Sequence, residues 1–223
     1  MKKIALVAFL MLSQINFAQK TTKNLGDFDQ VKVFDRISAQ LVAGNENKIE
    51  ISGSRKDDVE IVNKNGELKV RMKLGKLLKG DDITTIIYFK NDINTVEASE
   101  GSYVSSEATF KAIDFSVNSK EGAEIKLNLD TKKLKVKVSS GGIVNVKGKA
   151  TNQDIVINSG GIVKAKDLET SQTTVAVNAG GEADVNASDL VDAKTRAGGN
   201  ITVYGNPAQV NKKNVIGGNI VIK

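Results

Sequence analysis

The sequence predicts an all-β chain: a right-handed parallel β-helix (β-solenoid) carrying an N-terminal β cap. The first observation behind this is a nine-residue phrase that returns seven times in the second half. It reads VEASEGSYV from Val96, VNSKEGAEI from Val117, VSSGGIVNV from Val138, INSGGIVKA from Ile157, VNAGGEADV from Val177, TRAGGNITV from Thr195 and NVIGGNIVI from Asn214. Secondly, the steps between starts are 21, 21, 19, 20, 18 and 19 residues, inside the range of solenoid periods. Thirdly, like residues fall in like columns. The first, seventh and ninth positions are mostly aliphatic. The third holds Ala98, Ser119, Ser140, Ser159, Ala179 and Ala197, with a bulky Ile216 last. At the fifth stand Gly142, Gly161, Gly181, Gly199 and Gly218, with Glu100 and Glu121 in the first two phrases.

Alternation with period two on either side of a small or glycine pair describes two short strands joined by a tight bend, because glycine accepts positive φ and lets backbones approach. The five glycines are therefore read as structural corners. Column identity is what a coil climbing one rung per repeat produces, whereas a series of hairpins needs no common period between its turns. Parallel stacking at ~4.8 Å per rung makes about seven coils over residues 93–223 a rod of ~35 Å. Steps that vary argue against the strict hexapeptide periodicity of left-handed helices, which leaves the right-handed form. Lys147 to Asp154 and Asn186 to Asp192 then read as loops of their coils.

Ahead of the coils, residues 1–18 read as a secretory signal peptide. Lys2 and Lys3 precede an apolar run from Ile4 to Leu12, and Ala18 is placed for cleavage; the run is too short to cross a bilayer. The expected protein is thus exported to the periplasm, the outer surface or the medium. Residues 19–92 lack the long period but keep strand signals and read as a β cap continuous with the solenoid. Val31 and Val33, then Ile37, Ala39 and Leu41, then Ile49 and Ile51 alternate with polar neighbours. Val59 and Ile61 lead to Asn65-Gly66, with Leu68 and Val70 beyond, the pattern of a hairpin. A cap is needed because an open terminal rung exposes unpaired backbone. At the other end the chain closes on Ile220, Val221 and Ile222, which predicts weak homo-oligomerisation through the C-terminal rung.

Composition excludes several kinds of chemistry. The chain has no His and no Cys, so imidazole- or thiolate-based catalysis, zinc sites of those ligands and disulfides are out. Without Lys2 and Lys3 it carries 30 basic and 26 acidic residues, a net +4. Its arginines are only Arg36, Arg55, Arg71 and Arg196, which gives bidentate recognition of nucleic acid little to work with.

The residues also resemble a known family, the secreted "putative auto-transporter adhesin, head GIN domain" proteins of Bacteroidota, from about Phe28 to Lys223. The likeness rests on F-D-Q-V-K-V from Phe28, A-G-N-E-N-K-I-E-I-S-G from Ala43 and N-G-E-L-K-V from Asn65. It continues in the serial S-G-G-I-V, A-G-G-E-A and A-G-G-N-I corners and in Y-G-N-P-A-Q-V followed by G-G-N-I. The first two corners depart from the pattern with Glu-Gly in place of Gly-Gly. The resemblance implies a secreted β-helical domain with an adhesin-like role, and it carries no functional residues over.

Two classes of function fit these features. One is a non-enzymatic binding or structural module at the cell envelope, with a cell-surface glycan or envelope protein as partner and no cofactor. The other is a carbohydrate-active β-helical enzyme acting on acidic polysaccharide, for which Asp130 with Lys132, Lys133, Lys135 and Lys137 are the candidate residues. Against the enzyme, Lys135 and Lys137 alternate with Leu134, Val136 and Val138 and so read as the solvent face of a strand. Exposed aromatics for a sugar groove are limited to Tyr88, Tyr103 and Tyr204. Glu182 and Asp184 beside a Gly-Gly corner occur once, not in the tandem nine-residue pattern of calcium-binding β-rolls, and Asp57-Asp58 and Asp81-Asp82 read as loop solvation. The one charge feature above background is the basic run Lys69, Arg71, Lys73, Lys76 and Lys79. It reads either as a solvated loop or as a face for an acidic partner.

Overall fold

The computed structural model describes residues 20–223; residues 1–18, the segment expected to be a signal peptide, lie outside them. In chain order the N-terminal part contains β1 (Thr21–Asn24), β2 (Gln30–Val33), β3 (Ser38–Ala43), β4 (Lys48–Ser52) and a 3-10 turn (Lys56–Asp58). It continues with β5 (Val59–Lys64), β6 (Glu67–Met72), β7 (Thr84–Phe89) and β8 (Thr95–Ala98). Five long bent strands follow: β9 (Tyr103–Lys120), β10 (Glu124–Ser139), β11 (Ile143–Asn158), β12 (Ile162–Asn178) and β13 (Glu182–Arg196). The last strands are β14 (Asn200–Tyr204), β15 (Gln209–Val215) and β16 (Asn219–Ile222).

From β8 onward each strand pairs parallel with the strand one coil away. The result is the β-solenoid the columns require, with inward side chains stacked one above another. Thr85, Ala39, Val104, Ile125, Val144, Val163, Ala183, Ile201 and Ile220 form one column, nine rungs deep. A second runs Val70, Val33, Ala98, Ser119, Val138, Ile157, Val177, Thr195 and Asn214. These are the first and seventh phrase positions, and the columns down to Ala183 and Thr195 are buried, because a period-two strand turns alternate residues inward.

The two columns correct the reading of the first two phrases. Val138 stands opposite Ser119 and not Val117, so those phrases begin at Ala98 and Ser119, two residues later. Glu100 and Glu121 accordingly move from the fifth position to the third, where they share positive φ with Ser140, Ser159, Ala179, Ala197 and Ile216. The segments expected as loops, Lys147 to Asp154 and Asn186 to Asp192, lie inside the continuous strands β11 and β13. There the chain bends without leaving the sheet.

Two of the nine rungs come from the N-terminal part. β2 lies between β6 and β8, and β3 between β7 and β9, all parallel. On the outermost rung, β5 pairs antiparallel with β6 through the Asn65-Gly66 turn, and β4 pairs antiparallel with β7. β1 then pairs antiparallel with β4. Antiparallel strands therefore satisfy an edge that would otherwise expose backbone donors and acceptors.

Candidate functional site

Each coil has a tight corner and, on the opposite side, a wider bend. At the corners a residue with positive φ is followed by a glycine with positive φ, as in Ser140-Gly141 and Ser159-Gly160. Hydrogen bonds continue across them from rung to rung: Ile162 N donates to Gly142 O at 2.9 Å and Glu182 N to Gly161 O at 3.0 Å. The predicted glycines stand one position later. A Cβ on Gly161 would meet Val138 Cγ1 at 2.7 Å, and one on Gly142 would meet Ser119 O at 2.6 Å. Close approach, not positive φ, is what those two positions require, while Gly181, Gly199 and Gly218 combine both. Ser102 and Ala123 occupy the equivalent slot in the first two coils.

The bends carry the polar chemistry. The variable step of the repeat is absorbed just before and within them: register shifts fall between Lys126 and Asn128, Asn145 and Gly148, Ala165 and Glu169, and Thr170 and Gln172. Bulges re-aim side chains and loosen the ladder locally, and here they open a groove of about 510 Å³ that runs from rung to rung. It is lined by Asp130, Thr131 and Lys132 of β10, Lys149 and Thr151 of β11, Glu169, Thr170 and Ser171 of β12, and Asn186 and Ser188 of β13. One outward column beside it reads Lys111, Asp130, Lys149, Glu169 and Asn186 in register, so charge alternates at one-rung spacing. Lys149 Nζ and Glu169 Oε2 are 3.9 Å apart and both side chains are well exposed.

Beneath the groove the inward face turns polar. Thr170 Oγ1 donates to Asn186 O at 2.7 Å, and the single proton of the Thr173 hydroxyl faces two acceptors, Thr170 Oγ1 at 2.8 Å and Gln153 Oε1 at 3.3 Å. Thr131, 5% exposed, lies beside the groove with its hydroxyl buried and without a hydrogen-bond partner among the described residues. Gln153 Nε2 is likewise unpartnered and borders a second, smaller depression with Lys133, Asp154 and Asp192.

The structure divides the sequence candidates. Asp130 and Lys132 share the groove, Lys133 lies across the bend, and Lys135 and Lys137 are exposed on the strand beyond, alternating with buried Leu134, Val136 and Val138. The basic run also separates. Lys69 pairs with Glu67 at 2.8 Å and Arg71 with Glu60 at 2.8 Å on the β5–β6 hairpin, whereas Lys73, Lys76 and Lys79 lie in the loop before β7. Two tyrosines are already engaged: Lys48 sits over Tyr88 and Lys166 over Tyr204, each 4.9 Å from the ring centroid. Among the described residues no three acidic side chains converge as metal ligands, and no helix is long and apolar enough to cross a membrane. The sequence missed the hydroxyl and amide groups of the groove, since bulges decide which bend residues face it. Their one signal was the uneven step of the repeat.

Among solved structures the chain is similar to a putative adhesin of Bacteroides fragilis, with a TM-score of 0.84 at 17% identity, covering 92% of this chain and 96% of that one. A putative adhesin of Parabacteroides distasonis gives a TM-score of 0.71 at 18% identity, and one of Parabacteroides merdae 0.67 at 18%, with the same coverage. At such identities the likeness is one of fold. No curated protein matches. The sequence profile described as "putative auto-transporter adhesin, head GIN domain" matches residues 27–207, and the chain belongs to that family.

Proposed function

We propose that the protein is an exported, non-enzymatic, adhesin-like binding module that holds an extended polar chain, a cell-surface glycan, along the groove at its bends. The observation that carries this reading is the column Lys111, Asp130, Lys149, Glu169 and Asn186, which repeats a hydrogen-bonding group once per rung. A rung spacing of ~4.8 Å exceeds the ~3.3 Å rise of an extended peptide and is close to the length of one sugar ring. Alternating charge offers donors and acceptors in turn and gives no net field for a polyanion. Thr151 and Ser171 add hydroxyls along the groove that are not buried. Export is supported by Lys2, Lys3 and the apolar run before Ala18.

Screening the protein on a glycan array, with Glu169→Lys and Asp130→Ala beside it, tests the reading. Binding that falls in both variants supports it, and indifference to both removes the groove from consideration. A carbohydrate-active enzyme is the competing class because Asp130 and Lys132 share the groove; turnover of an acidic polysaccharide that is lost in Asp130→Ala would establish it instead. Cell fractionation with surface proteolysis checks the compartment.

A further inference from the structure

The loop that joins β6 to β7 is the corner of the outermost rung, enlarged to the run Lys73-Leu74-Gly75-Lys76-Leu77-Leu78-Lys79-Gly80. Its leucines are turned to solvent: Leu74 is 91% exposed, Leu77 49% and Leu78 46%. Ile113 and Ile216 are also strongly exposed but stand singly, whereas here three exposed leucines fall in five positions. Exposed clusters of this kind mark contact surfaces.

The loop is also held in place. Buried Asp35 accepts hydrogen bonds from Met72 N at 2.9 Å and Leu78 N at 2.8 Å through its carboxylate, and from Gly80 N at 3.0 Å through its carbonyl. Lys73 N donates to Asp58 O at 2.8 Å, and Arg55 reaches Lys79 O at 3.3 Å. Gly80 cannot carry a side chain, because a Cβ would lie 2.4 Å from Asp35 O. Leu78 itself has φ of +59°, a conformation with a cost for a branched residue. Ordering leucines outward against both the hydrophobic effect and backbone preference is intelligible if something apolar receives them.

The charges identify what that is. Lys73, Lys76 and Lys79 alternate with the leucines, the loop holds no acidic residue, and none of the three lysines has a carboxylate partner among the described residues. Of the aspartates at its base, Asp81 pairs with Arg36 and Asp82 accepts from Ser54, leaving Asp57 and Asp58 on the adjoining turn. The tip is bare: a Cβ on Gly75 would touch nothing within 4 Å. The exposed tip interleaves leucine with lysine. It matches a bilayer interface, where leucines enter the acyl boundary and lysines meet anionic headgroups.

We infer that residues 73–80 dock the outermost rung on an anionic phospholipid surface. The groove at the bends lies on the other side of each coil and takes no part. The test uses protein recovered from an exporting host and vesicles of phosphatidylcholine alone or with about one third phosphatidylglycerol. Cosedimentation is expected with the anionic vesicles, weaker with neutral ones, and reduced by salt. In Leu74→Ser/Leu77→Ser partitioning should fall on the order of tenfold, with an unchanged melting temperature because both residues are exposed. Lys76→Glu/Lys79→Glu should weaken binding to anionic vesicles only. Absence of vesicle binding by the parent protein, equal binding to both compositions, or binding that survives the leucine substitutions would overturn the inference. So would concentration-dependent dimerisation that those substitutions abolish, which would assign the leucines to a second copy of the chain.

Discussion

Glu100 illustrates how the stack acts on single residues. It shares the corner column with Asp35 and Glu121, and its carboxyl is raised above the ordinary glutamate value of 4.5 by burial first and by the neighbouring Asp35 and Glu121 charges next. Folding then favours the protonated acid, so its contribution is fully present below that ordinary value and is lost as pH rises through the folded one. Glu100→Gln should therefore match the parent protein near pH 4 and become the more stable of the two by pH 7, as urea titrations at both pH values would show. Ile216 is the other residue out of keeping with its place. It holds φ of +58° with its side chain 83% exposed, where a β-branched residue pays backbone strain for no burial. Ile216→Asn is expected to stabilise the last corner by about 1 kcal/mol, read as a higher urea midpoint.

At the scale of the element, corner and strand make separate demands. Gly161→Val should cost about 1–3 kcal/mol, because its Cβ would sit 2.7 Å from Val138 Cγ1 and 3.1 Å from Ile157 Cγ2. Gly160→Ala, where nothing lies within 4 Å at φ of +75°, should cost only the backbone term of roughly 1 kcal/mol. Equal losses in the two melting curves would mean that crowding is not what the fifth position requires. Within the strand, Val138→Asp buries a carboxylate between Ser119 and Ile157 at about several kcal/mol, while Lys137→Asp on the exposed face should be nearly neutral. The strand alternation behind this contrast was legible in the sequence. The neighbour of Val138 was not, because Val117 and Ser119 both suit an inward column and only pairing across the rung separates them.

For the molecule as a whole, stability should be a sum over rungs and their interfaces. Deleting residues 139–157 removes one step of the stack, since Val138 and Ile157 are in register, and brings Val138 directly to the next corner at Ser159. The shortened protein is expected to fold with unchanged β circular dichroism and a smaller urea m-value; collapse to an unfolded or aggregated chain would refute additive stacking. The far end also remains testable. Among the described residues β16 pairs only with β14, so weak strand addition by a second copy is expected, and sedimentation of the parent protein beside Ile222→Lys checks it.

The sequence by itself determined the all-β solenoid, the period near 20 residues, the inward columns and the corners, because each coil must repeat the same short-range solution to bury its aliphatic residues. It also revealed the Asn65-Gly66 hairpin and the separation of Leu134, Val136 and Val138 from Lys135 and Lys137. Tertiary structure alone decided three things. It drew β2, β3, β6 and β7 into the stack as two rungs, through parallel pairing between segments far apart in sequence. It used bulges to absorb uneven steps and so assembled Asp130, Lys149, Glu169 and Asn186 along one groove. Finally, it split the basic run, pairing Lys69 and Arg71 with glutamates across and along a hairpin while Asp35, some 40 residues earlier in the chain, fixed Lys73 to Lys79 in a loop with its leucines outward. Periodicity reports what recurs along the chain, whereas these features depend on which rungs become neighbours.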